Sequence, residues 1–197
     1  MNLKIGHKIN QWSHHVKQED LNSWSKILND PNPIHFDADA VKKVSFTGSE
    51  VGGAKVAATA AKHVKPSTLE LGGKSPQIVF ADADLESTIN GVMSGIFLSN
   101  GQSCVAGSRL IIHDDIREVF VERLKEKLRG LHFGSPLLEG TDIGPIANKA
   151  QFDKILSMVS RAIQEGATVT YGGASKNVPG FEGGYFIEPT ILENVSL

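Results

Sequence analysis

The sequence predicts an α/β protein. From Val44 onward short β-branched runs alternate with longer stretches of helical period, and Gly, Pro or Asp stands at most of the joins. VSFTG (44–48) reads as a strand, and SEVGGAKVAATAAKHV (49–64) as an alanine-rich helix with Ser49 as its N-cap. STLELGG (67–73) and SPQIVFAD (75–82) read as two more strands, parted by Gly72-Gly73. Leu85, Ile89, Val92, Met93, Ile96 and Phe97 recur at helical spacing, with Asp82 and Asp84 as candidate caps. SRLIIH (108–113) is a strand candidate, followed by a helix on Ile116, Val119, Phe120, Leu124 and Leu128 that stops at Gly130. The solvent-facing charges of that helix explain IREVFVERLKEKLRG without a binding patch. Phe152, Ile155, Leu156, Val159 and Ile163 mark a further amphipathic helix, ended by Gly166. ATVTY (167–171) follows as a strand, ASKNVPGFEGG (174–184) as a loop, and FIEPTIL (186–192) as a last strand in which Pro189 requires an edge or a bulge.

Composition narrows the function classes. With 20 Lys+Arg against 22 Asp+Glu the formal charge is −2, so no global basic field recommends nucleic acid or an anionic membrane surface. The longest uncharged apolar stretch, GVMSGIFLS, falls short of the roughly 18 residues of a membrane helix. One cysteine makes no internal disulfide, and no signal-like opening is present, so a cytoplasmic protein acting on small molecules is expected.

The first 43 residues differ in texture, with both tryptophans and four of the seven histidines. Leu21, Trp24, Ile27 and Leu28 suggest a helix running into a turn at Asn29, Pro31 and Pro33. His14 and His15, being adjacent, point apart on a strand, and no ligand spacing completes a metal site around them.

Two residues raise a question of chemistry. The lone cysteine, Cys104, stands in SNGQSCVAGSR (99–109), where glycine and serine allow backbone amides close to a reacting centre. A free cysteine is as readily a small buried hydrophobe, and as a nucleophile it needs its thiolate form. Glu70 ends an apolar strand beside two glycines, where it can serve as a base or simply face solvent.

SFTGSEVGG, LELGGKSP and SNGQSCVAGSRL resemble the aldehyde dehydrogenase superfamily in order and spacing, with Glu70 34 positions before Cys104. The likeness continues through GPIANKAQFDKIL, EGATVTYGG and GYFIEPTIL, about residues 44–197. It implies a partial aldehyde dehydrogenase fold: the end of the Rossmann-like cofactor domain over 44–72, then much of the α/β catalytic domain over 73–197. It also implies an NAD- or NADP-dependent oxidation of an aldehyde to a carboxylic acid. In that chemistry Cys104 attacks the aldehyde to give a thiohemiacetal and then a thioester, and Glu70 activates the hydrolytic water. The Cys104 N–H supplies part of the oxyanion site, while Gly48, Ser49, Gly53, Leu71 and Gly72 match positions that meet the cofactor. No metal site is expected.

The resemblance also has gaps. The upstream tryptophan-asparagine pair with its second oxyanion donor, the ribose-binding lysine, and the downstream acidic ribose contact of the family are not in this sequence. Turnover is therefore expected to be impaired; the rival expectation is a catalytically inactive fragment or interaction remnant, and a third is an enoyl-CoA hydratase of the kind described next. Besides a small-molecule aldehyde, the partner considered is a second copy of the chain in a homo-oligomer. NDPNPIHFDADAV resembles the short signature of MaoC-like enoyl-CoA hydratases, with Asp30 and His35 as the water-activating pair, so residues 1–43 are read as an incomplete hydratase-like segment. The two likenesses meet at VKKV (41–44).

Overall fold

The computed structural model describes residues 42–195, which divide into two compact units between Leu71 and Gly72. The first unit is a βαβ turn of chain. Strand β1 (Val44–Thr47) pairs in parallel with β2 (Ser67–Glu70), in register from Val44↔Ser67 to Thr47↔Glu70, and helix α1 (Glu50–Lys62) makes the crossover. The Ser49 side chain accepts from the Gly52 N–H at 3.1 Å, the expected N-cap. α1 stops two residues short of the expected end: Val64 turns left-handed at φ 52° while its N–H reaches the Ala61 carbonyl. Inside the unit α1 lies close because Gly53 has no side chain. A Cβ there would stand 2.7 Å from Leu71 Cδ2.

The second unit repeats the pattern. β3 (Pro76–Val79) and β4 (Arg109–Ile112) run parallel, joined through α2 (Leu85–Phe97), and α3 (Asp114–Arg129) follows β4. Asp84 caps α2 through the Ser87 N–H at 2.8 Å, and His113 Nδ1 accepts from the Asp115 N–H at the start of α3. Val79, Ile89, Val92, Phe120, Leu124 and Leu128 form one buried cluster, with Leu110 and Ile112 packed against it. Complete burial of Phe120 and Ile89 contributes about 1.5–3 kcal/mol each. On the other face of the sheet the register partners Ile78 and Ile111 stay open to solvent at 60% and 53%. Val119, expected on the apolar stripe of α3, is also exposed.

Helix α4 (Lys149–Gln164) is capped by Asn148, which accepts from the Gln151 N–H at 2.9 Å. β5 (Thr168–Tyr171) pairs antiparallel with β6 (Ile191–Glu193), with an irregularity between Val169 and Tyr171. The last strand thus begins after Pro189, which has no N–H to give a ladder, and Ile187 makes only an isolated bridge to Ser175. The helix expected over 21–28, His14, His15, Asp30 and His35 lie outside the described residues.

Candidate active site

The thiol sits on a loop held at both ends. After Phe97 the chain enters a tight turn, Leu98–Gly101, in which Ser99 (φ 53°), Asn100 (φ 56°) and Gly101 (φ 69°) are all left-handed. Asparagine tolerates this conformation better than most residues, and Asn100 is further held by its own amide. Its Nδ2 donates to the carbonyls of Gly144 at 2.9 Å and Pro145 at 3.1 Å. Two residues on, Gln102 Oε1 accepts from the Ala147 N–H at 3.3 Å. The segment GPIA (144–147) therefore braces the approach to the cysteine.

The far end is held as firmly. The Gly107 N–H donates to the Gly95 carbonyl at 2.9 Å, and Gln77 Nε2 donates to the Gly107 carbonyl at 2.8 Å. Gln77 fills a slot lined by glycine: a Cβ on Gly107 would meet its Cγ at 2.4 Å, and one on Gly95 its Oε1 at 2.7 Å. Between these anchors Cys104 is exposed and unbridged. Its N–H donates to no acceptor among the described residues. Gly73 lies against the loop, where a Cβ would stand 3.1 Å from the Cys104 carbonyl oxygen. The geometry leaves an exposed thiol on an anchored loop, on a residue whose amide has no acceptor among the described residues. An exposed sulfur beside a free N–H can take a carbonyl carbon and offer a donor to its oxygen.

Gly48, Ser49, Gly53, Glu70 and Leu71 belong to the first unit, whereas Gly72 and Cys104 belong to the second. Within the first, the Gly48 N–H donates to the Glu70 carbonyl at 3.0 Å, so the start of α1 and the end of β2 are tied through backbone. The Glu70 side chain is exposed and without a hydrogen-bond or ion-pair partner among the described residues. Gly53 and Leu71 are brought together by the close approach described above. Gly72 is exposed, and nothing comes within 4 Å of where its Cβ would be.

Whether this chain's residues suit a dinucleotide can be judged at α1. The first amides of a helix have no intrahelical acceptor, and Ser49 Oγ takes only that of Gly52. The Glu50 and Val51 amides are left without an acceptor among the described residues, a donor set suited to phosphate oxygen. The Glu50 carboxylate in the same turn is exposed and free to turn to solvent. The residues fit. Among the described residues no group of three His, Cys, Asp or Glu is placed to hold a metal ion.

Asn100, Gln102, Gln77 and Gly73 were not evident from the sequence as parts of the site. The only local signal was the Asn100-Gly101 dipeptide, which marks a turn but not its partners 44 and 45 positions later.

Comparison with known proteins identifies the family. A family model described as the aldehyde dehydrogenase family matches residues 35–197. The match takes in His35 and so enters the segment read as hydratase-like, for which the likeness to MaoC-like hydratases finds no support. Betaine aldehyde dehydrogenase from Brucella anthropi is 51% identical over 154 residues, covering 78% of this chain and 32% of that protein. The corresponding protein of Brucella ovis is 49% identical over the same shares. The NAD+ complex of an aldehyde dehydrogenase from Bacillus cereus superposes with TM-score 0.75 at 39% identity, covering 80% of this chain and 31% of that one. Betaine aldehyde dehydrogenase from Staphylococcus aureus in complex with NAD+ gives TM-score 0.77 at 34% identity, over 80% and 31%. The chain thus spans about a third of the length of the curated relatives it matches. With one family model matched from His35 to Leu197 and solved members superposing on most of the chain, this chain belongs to the aldehyde dehydrogenase family.

Proposed function

We propose that this chain carries the catalytic centre of an NAD(P)-dependent aldehyde oxidation, with Cys104 as nucleophile and Glu70 as general base. The observation that carries the reading is the exposed Cys104 on its anchored loop, beside an amide with no other acceptor among the described residues. A buried thiol would have pointed to packing.

Cys104 Sγ, as thiolate, adds to the aldehyde carbon, and the carbonyl electron pair moves onto oxygen. The Cys104 N–H donates to that oxygen as charge develops, one part of the oxyanion stabilisation. A nicotinamide dinucleotide held at these residues would supply the hydride acceptor that oxidation of the thiohemiacetal to a thioester requires. Glu70 then takes a proton from water as its oxygen adds to the thioester carbon. Collapse releases the carboxylic acid and returns the thiolate. The Glu50 and Val51 amides, with Gly48 and Ser49 at the start of α1, would hold the cofactor phosphates, and Leu71 and Gly72 the nicotinamide end. A cytoplasmic setting, where a lone thiol stays reduced, goes with this reading.

The Brucella relatives are named for betaine aldehyde, which makes it the first substrate to try. The test is reduction of NAD and of NADP by the purified chain over a panel of aldehydes that includes betaine aldehyde. Cofactor reduction that disappears in Cys104→Ala supports the reading. If no aldehyde reduces either cofactor while the chain is folded, the second reading stands: a module that keeps the loop and associates through surfaces such as Ile78 and Ile111, in a second copy or a longer partner, without turnover.

A further inference from the structure

We propose that Asn100 is a positioning residue for the Cys104 nucleophile, acting through the loop and not through substrate. The inference rests on Cys104 being the nucleophile. Left-handed backbone at three successive residues, two of them not glycine, persists only where the surroundings hold it. The part-buried Asn100 amide does so by bridging to two carbonyls of the 144–147 segment, with Gln102 adding a second bridge to the same segment. This turn fixes the direction in which the chain enters Ser103 and Cys104. The opposite anchor at Gly107 fixes its exit. With both ends set, the Cys104 backbone keeps one direction for its N–H and its Cα–Cβ bond, which an addition step assisted by that N–H requires and which simple alkylation of an exposed thiol does not.

Two substitutions separate side-chain donation from backbone conformation. Asn100→Asp keeps the shape and the tolerance for positive φ but presents oxygen to two carbonyls. Asn100→Gly frees the backbone and removes the amide. The full chain is treated with p-nitrophenyl acetate, for acylation of Cys104, and separately with iodoacetamide, for its alkylation. Circular dichroism follows the fold. In both variants acylation is expected to fall by about tenfold or more, as misplacement of a reacting group by a fraction of an ångström or more does. Alkylation is expected to stay within about twofold, because it follows exposure and thiolate content.

Acylation equal to the parent in both folded variants overturns the inference. So does a parallel fall in acylation and alkylation, or loss of fold in both, since each assigns Asn100 a structural role only. If the parent itself is not acylated, or Cys104→Ala is acylated equally, the nucleophile assignment fails first and the inference with it.

Discussion

Replacing Gly107 by alanine puts a methyl carbon where Gln77 already lies. The added Cβ would stand 2.4 Å from Cγ and 2.5 Å from both Cδ and Nε2, so the whole amide end must leave its slot. Leaving breaks the 2.8 Å bond from Nε2 to the Gly107 carbonyl. That bond is worth about 1 kcal/mol net, and forcing a group into a filled site adds about 1–3 kcal/mol. We expect Gly107→Ala to destabilise the chain by about 2–4 kcal/mol, read from urea unfolding by circular dichroism. In a Gln77→Ala background both the clash and the bond are already gone, so the same substitution should cost about 2–3 kcal/mol less, a coupling at the upper end for touching residues. A Gly107→Ala protein within about 0.5 kcal/mol of the parent would refute the account of how the thiol loop is anchored, as would the absence of coupling to Gln77.

Three further outcomes follow from the described geometry. Ser49→Ala should lower stability by about 1 kcal/mol through loss of the cap on α1, whereas Ser49→Asp should retain most of it; thermal unfolding distinguishes them. The Thr170 hydroxyl and then the Arg117 guanidinium, at 2.6 Å, hold the Glu193 carboxyl below its usual range. Because the folded value is depressed, this contribution is fully present above about pH 4.3, the ordinary value, and is lost as pH falls through the folded one. Urea midpoints measured on acidification should drop less steeply in Glu193→Gln, and identical pH profiles would remove Glu193 from the balance. Glu70→Gln should slow release of an acyl group from Cys104 by about 10²-fold or more while leaving its formation close to parental, a split seen in burst kinetics with p-nitrophenyl acetate.

Much of the fold could be read locally. Ser49 and Asp84 are side-chain caps followed by helical period, so their role needs no distant partner. The parallel strand pairs follow from short β-branched runs joined by helices. Where the reading slipped, backbone chemistry outweighed pattern: Pro189 delays the last strand to Ile191, and Val64 leaves the helix in a left-handed turn despite its apolar side chain. Cys104 and Glu70 stand out as candidates only through the family motifs around them, because a thiol on a glycine-rich loop and a carboxylate at a strand end each fit two roles. The supports of the loop were not legible. Asn100 and Gln102 bond to residues 144–147, and Gln77 reaches Gly107 across 30 positions, so their meaning arises only when the chain is folded. Glu86 illustrates the same limit on α2: its pairing with Arg123 at 3.0 Å and Lys127 at 3.1 Å depends on how α2 and α3 pack.

Everything proposed for this site turns on Cys104 being the nucleophile. Acid quenching of the full chain during reaction with p-nitrophenyl acetate, followed by peptide mass spectrometry, tests it directly. A single acetyl group is expected on the peptide containing Cys104, accumulating further in Glu70→Gln. An acetyl group on any other residue, or none on Cys104 in a folded chain, would contradict it.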